Sequence, residues 1–199
     1  LEEKVLLRTS ELSDANQSIT QSVNSASIIQ NAILPKIDCN KYGFKEFEYL
    51  WEPRDIVGGD FYWLDKNDHW TSFVVADCTG HGIPGALMSI IAKDGLSEVV
   101  SGQEIYDPGE ILNNLNARII KTLNKKSDEN NAKDGMDMAL VSLDSHKKEI
   151  KFAGARNPLY LFRDNELSVF KGSIFSVGMM DTEDIKVHFD TLTIPYKKG

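Results

Sequence analysis

Apolar positions change their spacing several times along the chain, and each change marks a different kind of element. In the largely polar residues 1–34, Val5, Leu12, Ile19, Ala26 and Ile33 fall seven residues apart. Ala15 and Ile29 occupy intervening seam positions, whereas Arg8 and Ser22 suit them poorly. The pattern predicts a helix with an imperfect coiled-coil seam, ending at Pro35. Two readings stay open: a linker helix that pairs with a second copy, and an amphipathic helix packed on its own domain. The narrowness of the stripe favours pairing.

Further on, the spacing predicts a hairpin. Residues 61–64 are aromatic and apolar, residues 71–76 are β-branched and apolar, and Asp65-Lys66-Asn67-Asp68-His69 lies between them. A turn centred near Asn67 and Asp68 brings the residues around Asp60 opposite those around Asp77. Directly opposed side chains share a face with Cβ atoms about 5 Å apart, and a one-residue slip would split the faces. Helical spacing then returns twice. Pro84 suits a first turn followed by the apolar positions Leu87, Ile90, Ile91 and Val99. Asp107 caps a second helix, Glu110 closes a capping box, and Ile111, Leu112, Leu115, Ile119 and Leu123 form its apolar face.

Residues 124–135 read as a solvated, mobile loop. Strands are expected at 136–143, 149–153, 159–162, 167–170 and 185–194, with turns at 144–147 and 163–165. Strands, two helices and then many strands describe an α+β domain rather than alternating βαβ units.

Composition narrows the classes. At 199 residues, 41% hydrophobic and 26% charged, the chain fits one globular domain with an appendage, divided here into a linker helix at 1–35 and a domain at 36–199. No apolar run approaches the roughly 20 residues needed to cross a membrane, and no signal-peptide pattern opens the chain. The missing initiator Met points to a piece of a longer protein. A net charge of −8 argues against non-specific binding to nucleic acid or an anionic membrane, and favours cations. Cys39 and Cys78 lack metal-type spacing and suit a reducing cytoplasm.

Two aspartates flanked by glycines bracket the hairpin: Asp60 in Val57-Gly58-Gly59-Asp60-Phe61 and Asp77 in Asp77-Cys78-Thr79-Gly80-His81-Gly82. Like charges placed so close need a shared proton or a bound cation. A hard divalent ion suits carboxylate and carbonyl oxygens best, and the glycines permit a sharp turn and close backbone approach. The plainer reading makes both of them turn aspartates. His81 is a candidate proton donor to a leaving group, or a helix cap. Arg54 is a candidate phosphate holder through its guanidinium fork, or a surface partner of Asp55 or Glu52. Asp137 reads as a strand-end turn residue, with the metal edge as its other reading. Asn157 before Pro158 fits a tight turn, and Trp51 and Trp63 read as core. A different two-metal enzyme, such as a nucleotidyl cyclase, would also pair aspartates on a hairpin, but neither glycine segment carries the Lys-Ser/Thr ending of a phosphate loop.

These two segments, extended to Ile83-Pro84-Gly85-Ala86 and joined by Phe152-Ala153-Gly154-Ala155-Arg156-Asn157-Pro158, resemble successive motifs of the SpoIIE/RsbU-type branch of the metal-dependent PPM (protein phosphatase 2C-like) Ser/Thr protein phosphatases. The resemblance spans roughly residues 37–199. It implies a four-layer αββα sandwich, incomplete here, with a dinuclear Mn²⁺ or Mg²⁺ centre between two antiparallel sheets. It further implies that Asp60, Asp77 and the Cys78 carbonyl are metal ligands, and that water activated by the metal attacks phosphoserine or phosphothreonine directly. It also implies a phosphorylated substrate of the anti-sigma-antagonist (STAS) kind in bacteria. An amino-terminal sensor domain would be joined through the helix, tethering the parent to a membrane in some architectures.

The family pattern continues into a Ser-Asp-Gly and an Asp-Asp motif that these residues do not contain. The chain by itself is therefore expected to bind metal weakly and turn over poorly. A non-catalytic phosphatase-like signalling module is the alternative.

Overall fold

The computed structural model describes residues 2–124 and 135–196. Most of the expected solvated loop, at 125–134, and the expected turn at 197–199 lie outside the described residues. Helix α1 (Glu2–Ile33) ends just before Pro35, as the proline requires. Its seam residues Val5, Leu12 and Ile19 are exposed, whereas Ala26 and Ile33 are half-buried and Gln30 is buried. Thus the helix stands free along most of its length and docks by its last turns. A single helical turn, α2 (Cys39–Tyr42), follows, capped by the Asp38 carboxylate, which accepts from the Asn40 N–H at 3.0 Å.

Strands β1 (Phe61–Lys66) and β2 (Trp70–Cys78) form the expected hairpin. Its turn is centred one residue later than the sequence pattern predicts, between Asp68 and His69, because Asn67 Oδ1 accepts from the N–H groups of both His69 and Trp70 at 2.8 Å. The resulting register pairs Phe61 with Ala76. Helix α3 (Gly82–Ser97) passes through a π-helical turn at Glu98–Gly102, and α4 (Pro108–Thr122) is capped by Asp107, which accepts from the Glu110 N–H.

The chain continues through β3 (Met136–Asp144), β4 (Glu149–Ala155), β5 (Leu159–Arg163), β6 (Glu166–Phe170) and β7 (Leu192–Pro195). Five strands make an antiparallel sheet in the order β1-β2-β3-β4-β7, and β5-β6 make a second, two-stranded sheet. The β5-β6 connection is Asp164-Asn165, both at positive φ (55° and 62°), the two-residue turn whose twist matches a hairpin.

Alternating side chains on the large sheet divide the core in two. Trp63, Val74, Met138 and Leu140 face α3 and α4, whereas Val141, Phe152 and Ile194 face Leu159, Leu161 and Phe170 of the small sheet. Helices, large sheet and small sheet thus stack in layers, as the α+β sandwich requires. The expected apolar face of α4 holds: Ile111, Leu112, Leu115 and Ile119 are fully buried, contributing about 1.5–3 kcal/mol each.

Two expectations fail on packing grounds. Helix α3 does not bury Leu87, which is exposed, but a face of Gly85, Ala86, Ser89, Ala92, Gly95 and Leu96. Small residues let it lie close: a Cβ on Gly85 would stand 3.0 Å from the Gly59 Cα. The predicted strand at 185–194 shrinks to β7. Phe189 is buried, but its backbone is served by a side chain, with the Asn113 amide donating to its carbonyl (3.0 Å) and accepting from its N–H (3.1 Å).

Candidate metal centre

The register fixes what the hairpin was expected to do. Continuing Phe61↔Ala76 by one residue sets Asp60 opposite Asp77. On the other side of β2, Asp77 is paired directly with Asp137 of β3. Opposed residues share a face, so three carboxylates line up across three neighbouring strands, on the face of the sheet turned away from α3 and α4. Asp137 therefore stands in the row rather than serving as a strand-end turn residue. The signal was an acid two residues into an apolar strand, and its cross-strand partner could not be read without the register.

The electrostatics follow from that row. Partial burial first, then the Asp60 carboxyl within hydrogen-bonding reach, and then the Asp137 charge push Asp77 above the usual carboxylate range. Asp137 is the best served of the three: Ser176 Oγ donates to its Oδ1 at 2.5 Å and Arg156 Nε lies 3.6 Å from its Oδ2. Asp60 and Asp77 share a cavity of about 290 Å³ with Trp51, Glu52, Tyr62 and Asn157.

The backbone around the row is held closely. A Cβ on Gly59 would come within 2.7 Å of the Cys78 carbonyl oxygen, so that carbonyl lies beside the Gly58-Gly59-Asp60 turn. Trp51 is not simply core: its Nε1 donates to the Asp60 carbonyl at 3.0 Å. Trp63 is core, with its Nε1 donating to Ser97 Oγ. Thr79 ties the glycine loop to the start of β3, donating its N–H to the Gly135 carbonyl (2.9 Å) and accepting at Oγ1 from the Gly135 N–H (2.9 Å).

One contact had no signal in the sequence. The buried Gln30 amide, near the end of α1, donates to the Gly58 carbonyl (2.6 Å) and to Ser89 Oγ (3.1 Å), and accepts from the Gly58 N–H (3.2 Å). It clamps the turn two residues before Asp60.

The remaining candidates sit at the periphery. His81 precedes the first turn of α3 without capping it through its side chain, and its Nδ1 lies 3.2 Å from Asp55 Oδ2. Asp55 therefore partners His81 rather than Arg54, which is exposed. Asn157 makes the expected tight turn and also walls the cavity. Cys78 is buried, and burial, with the Asp77 and Asp60 charges adding to it, pushes its thiol up, so its side chain is no nucleophile.

Hard oxygen donors with few cationic neighbours fit a divalent metal by type. Among the described residues, however, no three His, Cys, Asp or Glu side chains are gathered into a ready ligand shell.

Comparison with known proteins agrees with this geometry. The profile of the stage II sporulation protein E (SpoIIE) family matches residues 67–199. Among solved structures, the chain is similar to the SiaA-PP2C domain of Pseudomonas aeruginosa, at 31% identity and a TM-score of 0.78, covering 92% of this chain and 69% of that one. It shares the fold of the RsbU and RsbW domains of a Mycobacterium tuberculosis protein, at 20% identity and a TM-score of 0.57, covering 73% of this chain and 38% of that one. It also shares the fold of the PP2C phosphatase domain and a regulatory-domain fragment of SpoIIE from Bacillus subtilis, at 14% identity and a TM-score of 0.56, covering 71% of this chain and 39% of that one. No curated protein sequence matches closely enough to serve as a relative.

Proposed function

Because the chain belongs to the SpoIIE family and carries a PP2C-like phosphatase domain, we propose that it removes phosphate from phosphoserine or phosphothreonine of a bacterial signalling protein by direct attack of water. The observation that carries the reading is the row Asp60–Asp77–Asp137, with Asp60 one residue before β1 and the other two paired on β2 and β3. Like charges directly opposed destabilise a sheet, and a bound hard cation offsets that cost.

Asp60, Asp77 and the Cys78 carbonyl are the groups that would hold Mn²⁺ or Mg²⁺. Two such ions, when bound, lower the pKa of water and neutralise phosphoryl charge. The chain's own residues do the rest. Gln30, Trp51 and the Gly59–Gly85 contact hold the Asp60 turn in place. With His81 Nδ1 turned to Asp55, Nε2 is the nitrogen left to pass a proton to the departing serine or threonine oxygen. Arg54, exposed just before the turn, steers the phosphoprotein toward the row. No side-chain nucleophile is needed, which suits the buried Cys78 thiol.

Two aspartates and one carbonyl make a sparse shell, so this chain by itself would bind metal weakly and turn over slowly. The second reading, a phosphatase-like module that binds without catalysis, draws on the lack of a ready three-ligand shell among the described residues.

The substrate we favour is a phosphorylated STAS-type anti-sigma antagonist, an assignment by family analogy. On the same footing, residues 1–35 link a sensor to the domain at 36–199 and pair with a second copy, and the domain works in the cytoplasm. No helix among the described residues is long and apolar enough to cross a membrane. The test is Mn²⁺-dependent phosphate release from a phosphoserine protein by the full-length protein. Asp77→Asn should lower it about 100-fold or more, since even groups behind the ligands typically matter 10- to 100-fold. Undiminished activity in that variant would exclude the metal reading.

A further inference from the structure

Resting on the phosphatase reading, we propose that Arg156 is the arm that receives the substrate's phosphoryl group. It stands at the end of the carboxylate row, its Nε 3.6 Å from Asp137 Oδ2. That distance makes an ion pair but not a hydrogen bond. Asp137 already accepts from Ser176 Oγ through its other oxygen, so it does not depend on Arg156. The Arg156 side chain is 59% exposed and makes no hydrogen bond among the described residues, leaving its fork of N–H groups uncommitted. By contrast, Arg118 is engaged by both Asp94 and Glu98, and Arg163 donates to the Pro195 carbonyl.

The backbone beneath Arg156 is tied down by hydrogen bonds. Its N–H donates to the Ser173 carbonyl (2.8 Å), the Asn157 N–H donates back to the Ala155 carbonyl (2.7 Å), and Arg156 itself sits at φ +61°. A bulky side chain in the left-handed region is uncommon and is a reason to look for a role. The same turn carries Asn157 into the cavity that holds Asp60 and Asp77. On its other side Arg156 opens, with Lys171, onto a groove of about 510 Å³.

The chemistry suits a phosphate monoester. Its roughly two negative charges must approach a row of carboxylates on a chain of net charge −8. A guanidinium at the end of that row offsets the repulsion and matches two phosphoryl oxygens at once. Arg156 can turn from Asp137 to the phosphate without leaving that carboxylate bare, since Ser176 stays in place.

The test uses the full-length protein in Mg²⁺, with inorganic phosphate titrated calorimetrically and a phosphoserine peptide as substrate. Arg156→Ala should weaken phosphate binding about 10- to 100-fold and raise KM for the peptide more than it lowers kcat. Mg²⁺ affinity should stay within about twofold, because the arm meets phosphate rather than metal. Arg156→Lys should recover only part of the loss, because an ammonium lacks the fork.

Unchanged phosphate affinity in Arg156→Ala, or full recovery by Arg156→Lys, overturns the proposal. Should the Ala variant fail to fold, wild-type phosphate affinity in the Lys variant overturns it alone. If the wild type hydrolyses the peptide and Asp77→Asn does not, while Arg156→Ala binds phosphate normally, only the arm is wrong. A wild type that neither hydrolyses the peptide nor binds phosphate overturns both readings.

Discussion

The two ends of the β2-β3 ladder use the same residue type to opposite purposes. At one end Asp144 is buried, and its Oδ1 accepts from the N–H groups of His146 (2.9 Å) and Lys147 (2.8 Å). Against the opposing pull of burial, these bonds hold its carboxyl below the usual range. Beside it, Asn67 closes the other turn in the same manner, and Ser145 binds the His69 carbonyl through both its N–H and its hydroxyl. At the opposite end Asp77 faces Asp60 and Asp137 and is held above the usual range. Asp144 is surrounded by donors, whereas Asp77, placed in the proposed metal row, is surrounded by other carboxylates.

The sharpest way to break this contrast is the activity test: Asp77→Asn should cost about 100-fold or more in Mn²⁺-dependent turnover, while Asp144→Ala, at the far end, should leave turnover per folded molecule unchanged. Next in size, Asp144→Ala should destabilise the protein by about 2 kcal/mol. A thermal melt should show this as a drop of about 4–8 °C.

Gln30→Ala should cost about 1–2 kcal/mol in a urea titration, because it strips partners from the N–H and carbonyl of Gly58. It should also weaken Mn²⁺ binding, whereas the same loss of stability produced at Asp144 should not. The smallest effect has the reverse sign. Asp77→Asn should stabilise the metal-free protein by about 0.5–1 kcal/mol through relief of like-charge opposition.

Acid should act on the two ends in opposite directions. The lowered Asp144 contributes stability above its ordinary pKa of about 4, and that stability is lost as pH falls through its folded value. The raised Asp77 takes up a proton on folding, so its strain on the metal-free fold eases as pH falls through its raised value toward about 4. Metal-free melts across that range should lose the second trend in Asp77→Asn and the first in Asp144→Ala.

Much of this was legible from local pattern. The hairpin, the capped face of α4 and the turn expected at 163–165 each rest on residues adjacent in sequence or one helical turn apart. The readings that failed depended on distant partners. Asn113 lies 76 residues from the Phe189 backbone whose strand it replaces. The Gln30 clamp spans 28 residues, within a helix whose only sequence signal was a seven-residue repeat. Asp137 looked like a turn residue because nothing local shows that β3 lies against β2 in the register that meets Asp77. On helix α3 and the π-helical turn that continues it, Ile91 and Val99 do reach the core, whereas Leu87 was misread because the close approach to Gly59 turns small residues such as Gly85 and Ala86 inward.

That approach has a consequence for heredity. A Cβ on Gly59 or on Gly85 would collide with main chain rather than with a side chain able to move aside. The main-chain atoms nearest to each position cannot be shrunk by a second mutation. In a library of random variants both glycines should be as intolerant as the aspartates, although neither contributes a functional group, and selection would guard two residues for the space they leave empty.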